Sequence, residues 1–141
     1  SAEDVVLTLW HWETPPHRVK IIDELADEFE EATGIKIKQN VIPFPDYYGK
    51  VMAAIAAKEL PDMIWINPPQ LPILLEHDII IPLTEIFADL HTKYTFPEPL
   101  SQVYKVNAEQ YAIPIFGVAW PLTYRADLYK EHGLDAPEFW N

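Results

Sequence analysis

Val5-Val6-Leu7-Thr8-Leu9-Trp10 is a short run of β-branched and apolar residues with little alternation, the pattern of a strand buried on both faces. His11-Trp12-Glu13 follows as a short loop. Thr14 then stands where a helix N-cap belongs, and Pro15 and Pro16 fall in a first turn where a missing N–H does no harm. Val19, Ile22, Ala26, Phe29 and Ala32 recur at helical spacing, and Gly34 ends the run as a left-handed C-terminal residue would. The intervening acids, Asp23, Glu24, Asp27, Glu28, Glu30 and Glu31, are the wet face of that helix rather than a cation site.

The same unit recurs twice. Ile35 to Ile42 alternates in its first half and reads as a second strand; Pro43-Phe44-Pro45 stiffens the turn after it. Asp46 is placed to cap a helix that carries Tyr48, Val51, Met52, Ile55 and Ala56 inward, and Leu60-Pro61-Asp62 stops it. Met63-Ile64-Trp65-Ile66 is a third apolar strand, with Trp65 assigned to packing. Asn67-Pro68-Pro69-Gln70 opens a helical stretch through Leu71, Leu74 and Leu75.

Strand and helix in strict alternation imply right-handed crossovers and an α/β fold, a mainly parallel sheet covered by helices. Ligands of such sheets bind beyond the carboxyl ends of the strands. Three loops share that rim: Trp10 to Glu13, Phe44 to Tyr47, and Asn67 to Gln70. The candidate ligand-binding residues there are Trp10, His11, Trp12 and Glu13 from the first loop, Asp46 and Tyr47 from the second, and Asn67 and Gln70 from the third.

Beyond Leu90 the pattern is less regular. Tyr94 to Pro99 reads as a loop and Leu100 to Val106 as a short helix. Tyr111-Ala112-Ile113-Pro114 leads into Phe116-Gly117-Val118-Ala119-Trp120, and Leu122-Thr123-Tyr124 continues as a strand after Pro121. Ala126 to His132 forms a short helix closed by Gly133.

Composition narrows the function. The net charge of −12, with ten scattered Lys and Arg, supplies no basic stripe for nucleic acid. There is no cysteine, so disulfides, thiol nucleophiles and thiolate zinc sites are excluded. No apolar run approaches the ~20 residues that span a bilayer. Glycines at 34, 49, 117 and 133 alone cannot write a P-loop or a dinucleotide fingerprint, and the five histidines have no metal-ligand spacing. No cofactor, metal or catalytic residue is expected. Glu13 and Asp46 are the one carboxylate pair on the rim that could serve a glycoside hydrolase.

Several stretches, in order, resemble the family 1 extracellular solute-binding proteins, the group that contains maltose-binding protein. Leu7-Thr8-Leu9-Trp10-His11-Trp12 is followed by Phe29-Glu30-Glu31-Ala32-Thr33-Gly34-Ile35-Lys36-Ile37. Asp46-Tyr47-Tyr48-Gly49-Lys50-Val51 runs through an alanine-rich helix to Leu60-Pro61-Asp62-Met63-Ile64. Tyr111-Ala112-Ile113-Pro114, Leu122 to Leu128 and His132 to Trp140 complete the likeness.

The resemblance implies a type II periplasmic-binding-protein fold, in which two α/β lobes hold an oligosaccharide in the cleft between them. It implies delivery of that sugar to the membrane permease of an ABC importer, a periplasmic or cell-surface location, and no chemistry on the ligand. The alternatives are a hydrolase and a ligand-sensing domain of the same fold. Residues 1–113 correspond to most of the first lobe, which is incomplete, 114–120 to the hinge crossing and 121–141 to the beginning of the second lobe. Phe116 and Trp120 join the candidate ligand residues there. Relatives are much longer, so a fragment is expected, and Ser1-Ala2-Glu3-Asp4 carries no export signal.

Overall fold

The computed structural model describes residues 5–118 and 121–135. Three parallel strands, β1 (Val6–His11), β2 (Lys36–Val41) and β3 (Met63–Ile64), form a sheet in the order β2-β1-β3. β1 is central, which is why its sequence is continuously apolar while β2, at an edge, alternates. Helix α1 (Pro16–Thr33) crosses from β1 to β2, and α2 (Phe44–Ala57) from β2 toward β3. A 3₁₀ turn at Pro68–Gln70 runs into α3 (Leu71–Glu76), followed by α4 (Thr84–Lys93) and α5 (Glu98–Gln102). A small antiparallel hairpin, β4 (Lys105–Val106) with β5 (Glu109–Gln110), precedes an irregular stretch and α6 (Ala126–Glu131).

The core lies between one face of the sheet and helices α2 and α3. Ile42, Tyr47, Val51 and Leu74 are buried there, with Trp10, Ile55, Ile64 and Ile66 packed against them. Burying each aliphatic member stabilises the fold by roughly 1.5–3 kcal/mol. Helix α1 packs along β2. Its Val19, Ile22 and Ala26 turn toward the sheet as the spacing predicts, but Phe29 and Ala32 are exposed, beside Ile21 and Leu25. Only one short strand lies under the helix, too little to cover the end of its apolar stripe.

Gly34 does end α1 in the left-handed region, at φ 74°, its N–H donating to Glu30 O. The expected side-chain caps do not form. Pro15 and Pro43 occupy the N-cap positions, and Thr14 and Asp46 make no capping hydrogen bond; Asp46 sits inside the first turn of α2. Proline fixes the entry angle in both cases and displaces the cap by one to three residues. The third strand stops at Ile64, not Ile66. The helix expected over 100–106 is instead the end of α5 and the start of the hairpin, whose turn residues Asn107 and Ala108 both take positive φ. The strand expected around 116–124 is absent among the described residues: 115–118 and 121–125 are irregular and exposed, with no neighbouring strand to complete a ladder.

Two side chains tie the strands together. At the entry to β3, the Asp62 carboxylate accepts the Thr8 N–H and the Thr8 hydroxyl, both at 2.8 Å, and the Thr8 oxygen accepts the Asp62 N–H at 3.1 Å. The backbone bond from Thr8, and then the hydroxyl, hold the Asp62 carboxyl below the usual carboxylate range. At the other end, the Tyr47 hydroxyl is shared between the carbonyl oxygens of Trp10 and Trp65, each at 2.9 Å. Burial pushes the Tyr47 phenol far up, so it remains a donor throughout.

Because the folded Asp62 is the stronger acid, its contribution is complete above the unfolded carboxyl value of about 4 and is lost as pH falls through the lower folded value. The stability difference between the wild-type chain and Asp62→Ala should therefore be constant near neutrality and narrow below about pH 4. Urea midpoints measured across that range check it; a gap that widens with acid overturns it. Tyr47→Phe removes the proton shared by two part-buried carbonyls and should cost about 1–3 kcal/mol, read from the same melts at neutral pH.

Candidate functional site

Parallel strands bring the three rim loops to one end of the sheet, and a groove of about 670 Å³ opens there. Each loop contributes to its lining, Trp12 from the first, Phe44 from the second and Asn67, Pro68 and Pro69 from the third, together with Trp65. The far wall is the irregular stretch from Tyr111 to Val118, held by hydrogen bonds from Tyr111 N–H to Tyr104 O and from Leu83 N–H to Gln110 O. Gln110, buried, donates its amide N–H to Ala112 O at 2.6 Å and so fixes the start of that wall. Gly117 lies against Leu100 so closely that a Cβ there would meet Leu100 Cδ1 at 2.7 Å.

Aromatic rings build the floor. Trp12 is the hub: its ring meets Tyr47, Trp65 and Phe44 edge to face, with centroids 5.0, 5.5 and 5.7 Å apart. Trp65 in turn meets Phe116 at 5.8 Å. Edge-to-face pairs of this kind are worth about 0.5–1.5 kcal/mol each beyond burial, so the rings hold one another in place. Tyr104 donates its hydroxyl to Ile66 O at 3.2 Å, and burial raises its phenol as well. No Asp, Glu, Lys or Arg is among the lining residues.

The expected residues thus divide. Trp12, Asn67 and Phe116 line the groove, Phe116 being 49% exposed. Trp10 turns into the core, with Lys50 Nζ 5.0 Å above its ring. His11 and Tyr47 are 0% and 1% exposed and are held in hydrogen bonds. Glu13 is buried and paired with Arg18 at 2.9 Å, and the Gln70 side chain accepts the Asn67 N–H at 2.8 Å. Asp46 is exposed on α2, outside the groove. Neither member of the carboxylate pair weighed for hydrolysis therefore faces it. Trp120 lies outside the described residues.

Sequence reasoning missed Trp65, Tyr104 and Tyr111. Trp65 was legible in principle: it ends an apolar run just before Asn67, so the carboxyl-end rule that selected Trp12 applies to it too. It is half-buried and faces the groove, not the core to which its strand position assigned it. The two tyrosines come from a stretch with no strand periodicity, and nothing local marks them.

Solved structures with the same fold are numerous. A substrate-binding protein of an ABC system from Listeria monocytogenes, in complex with cycloalternan, is 21% identical, with a TM-score of 0.63, over 96% of this chain and 35% of that one. CpMnBP1 with mannotriose bound is 27% identical, TM-score 0.64, over 93% and 33%. An ABC transporter solute-binding protein from Thermotoga lettingae, bound with α-D-tagatose, is 20% identical, TM-score 0.69, over 93% and 34%. This chain spans about a third of the length of each. No curated protein matches it. The likeness establishes the fold as that of a type II periplasmic-binding-protein lobe. Residues 15–141, nearly the whole chain, match the profile of one family, and the chain belongs to it: the bacterial extracellular solute-binding proteins.

Proposed function

We propose that this chain supplies one wall of a sugar-binding cleft in the capture component of an ABC importer, acting outside the cytoplasm and leaving its ligand chemically unchanged. The observation that carries the proposal is the uncharged aromatic groove at the carboxyl end of the sheet. Pyranose rings offer apolar C–H faces that lie against indole and phenol rings, while their hydroxyls need a few fixed polar partners such as Asn67. With no Lys or Arg among the lining residues, the groove is ill suited to phosphorylated solutes. Cycloalternan, mannotriose and tagatose in the solved relatives support a neutral carbohydrate, and the ABC assignment of two of those relatives supports the permease as partner.

In this reading residues 1–113 belong to one lobe, 114–120 to a hinge crossing and 121–141 to a second lobe. Closure of two lobes about such a hinge buries the ligand and excludes water. Trp12 and Trp65 are the ring platforms of the first wall, and Phe116 approaches from the crossing. Leu122, Tyr124 and Leu128, all exposed, belong to the second wall.

Titration of the full-length, two-lobed protein with mannotriose, maltotetraose and tagatose, followed by tryptophan emission and indole NMR signals, tests the proposal; residues 1–141 alone, lacking most of the second wall, should respond weakly or not measurably. A saturable response of the two-lobed protein to at least one is expected. Trp12→Ala and Trp65→Ala should each weaken that response by on the order of 2 kcal/mol, about thirtyfold. A two-lobed protein indifferent to all three sugars, or variants of it with unchanged affinity, would overturn the assignment.

A further inference from the structure

His11 sits beneath the rim and takes no part in lining the groove. It is fully buried, tilted against the Trp65 ring at 5.3 Å between centroids, and both its nitrogens have partners. Nε2 lies 2.6 Å from Gln39 Oε1, and Nδ1 lies 3.2 Å from the backbone nitrogen of Glu13.

The chemistry of these partners fixes the proton. The Glu13 N–H can only donate, so Nδ1 is a bare acceptor. The Gln39 amide nitrogen faces the Val19 carbonyl oxygen at 3.2 Å and the Asp23 carboxylate, both acceptors. Only the NH₂ group satisfies them, which turns the Gln39 oxygen toward His11 and makes Nε2–H the donor. The bonds run one way: Glu13 N–H to His11, His11 to Gln39, Gln39 to α1. Bonds aligned in this sense polarise and strengthen one another. They link α1, β2 and β1 to the loop that carries Trp12.

We propose that His11, oriented by Gln39, is a positioning residue for the sugar site: its Nδ1 holds the Trp12–Glu13 turn and thereby sets the Trp12 ring in the groove. The proposal rests on the reading of Trp12 as a ring platform. A bond from a side-chain acceptor to the N–H two residues on is the pattern by which Asn and Asp shape turns. Asn at position 11 places its oxygen as many bonds from the backbone as Nδ1, and can make the rim bond but not reach Gln39. Gln places its amide where Nε2 is, and can meet Gln39 but not the Glu13 N–H.

NMR of the chain without sugar provides the test. Imidazole ¹⁵N signals should show Nε2 protonated and Nδ1 bare. His11→Gln should lose the ring-to-ring NOEs of Trp12 with Trp65 and Tyr47, His11→Asn should keep them, and Gln39→Leu should release the tautomer. A protonated Nδ1 in the wild type, or Trp12 contacts unchanged in His11→Gln, overturns the proposal. If His11→Gln fails to fold, the wild-type tautomer and the Gln39→Leu spectrum still decide it. Adding mannotriose to the full-length, two-lobed protein tests the sugar reading apart: indole signals that ignore it there sink that reading, while the unliganded pattern stands or falls alone.

Discussion

The Tyr47 hydroxyl, lodged between the carbonyl oxygens of Trp10 and Trp65, is the constraint from which the site geometry follows. Trp10 O already receives the Trp65 N–H at 3.0 Å, so the phenol occupies its second lone pair. The ladder between β1 and β3 has its last residue pair at Trp10 and Ile64. One step further on, the Trp65 carbonyl meets a side chain from α2 in place of a strand. The two strands part at that point with both carbonyl oxygens, Trp10 O and Trp65 O, still paired. The parting allows Trp12 and Trp65 to stand edge to face at the mouth of the sheet.

Around that point the structure separates charge from contact surface. Twenty-two acidic residues against ten basic ones give the chain its net charge of −12, yet none of those among the described residues lines the groove. The acids of α1 face water, and Glu13, the charged residue nearest the rim tryptophan in sequence, is turned away and neutralised by Arg18. An uncharged lining needs little desolvation of ionic groups when it is covered, which suits reversible capture.

Much of the fold was legible because its signals are local. The Leu7–Trp10 run, the helical spacing of Val19, Ile22 and Ala26, and the stop at Gly34 each follow from neighbours within a turn or two. The site was legible only as a region. The carboxyl-end rule places Trp12 and Asn67 on the groove, but it cannot tell His11 from Trp12, because which of two adjacent residues points inward depends on where the ladder ends. That point is set by Tyr47, 37 residues from Trp10. Trp65 was misassigned for the same reason: its strand ends one residue before it. The hairpin at Lys105–Gln110 escaped because its turn is Asn-Ala, and alanine gives no hint of a positive φ.

The central place of β1 in the strand order also governs how the molecule comes together. Its two partners arrive from opposite sides after long excursions: Lys36 pairs with Val6, and Asp62 reaches Thr8 across 54 positions. No hairpin shortcut exists between parallel strands, so each pairing must close a large loop before it gains a contact. Pairings of this kind form more slowly than the helices that connect them. The first strand emerges from synthesis long before either neighbour and must wait, apolar on both faces, for both. Through that interval a nascent chain of this design exposes an apolar, unpaired strand, the condition that favours association with other chains.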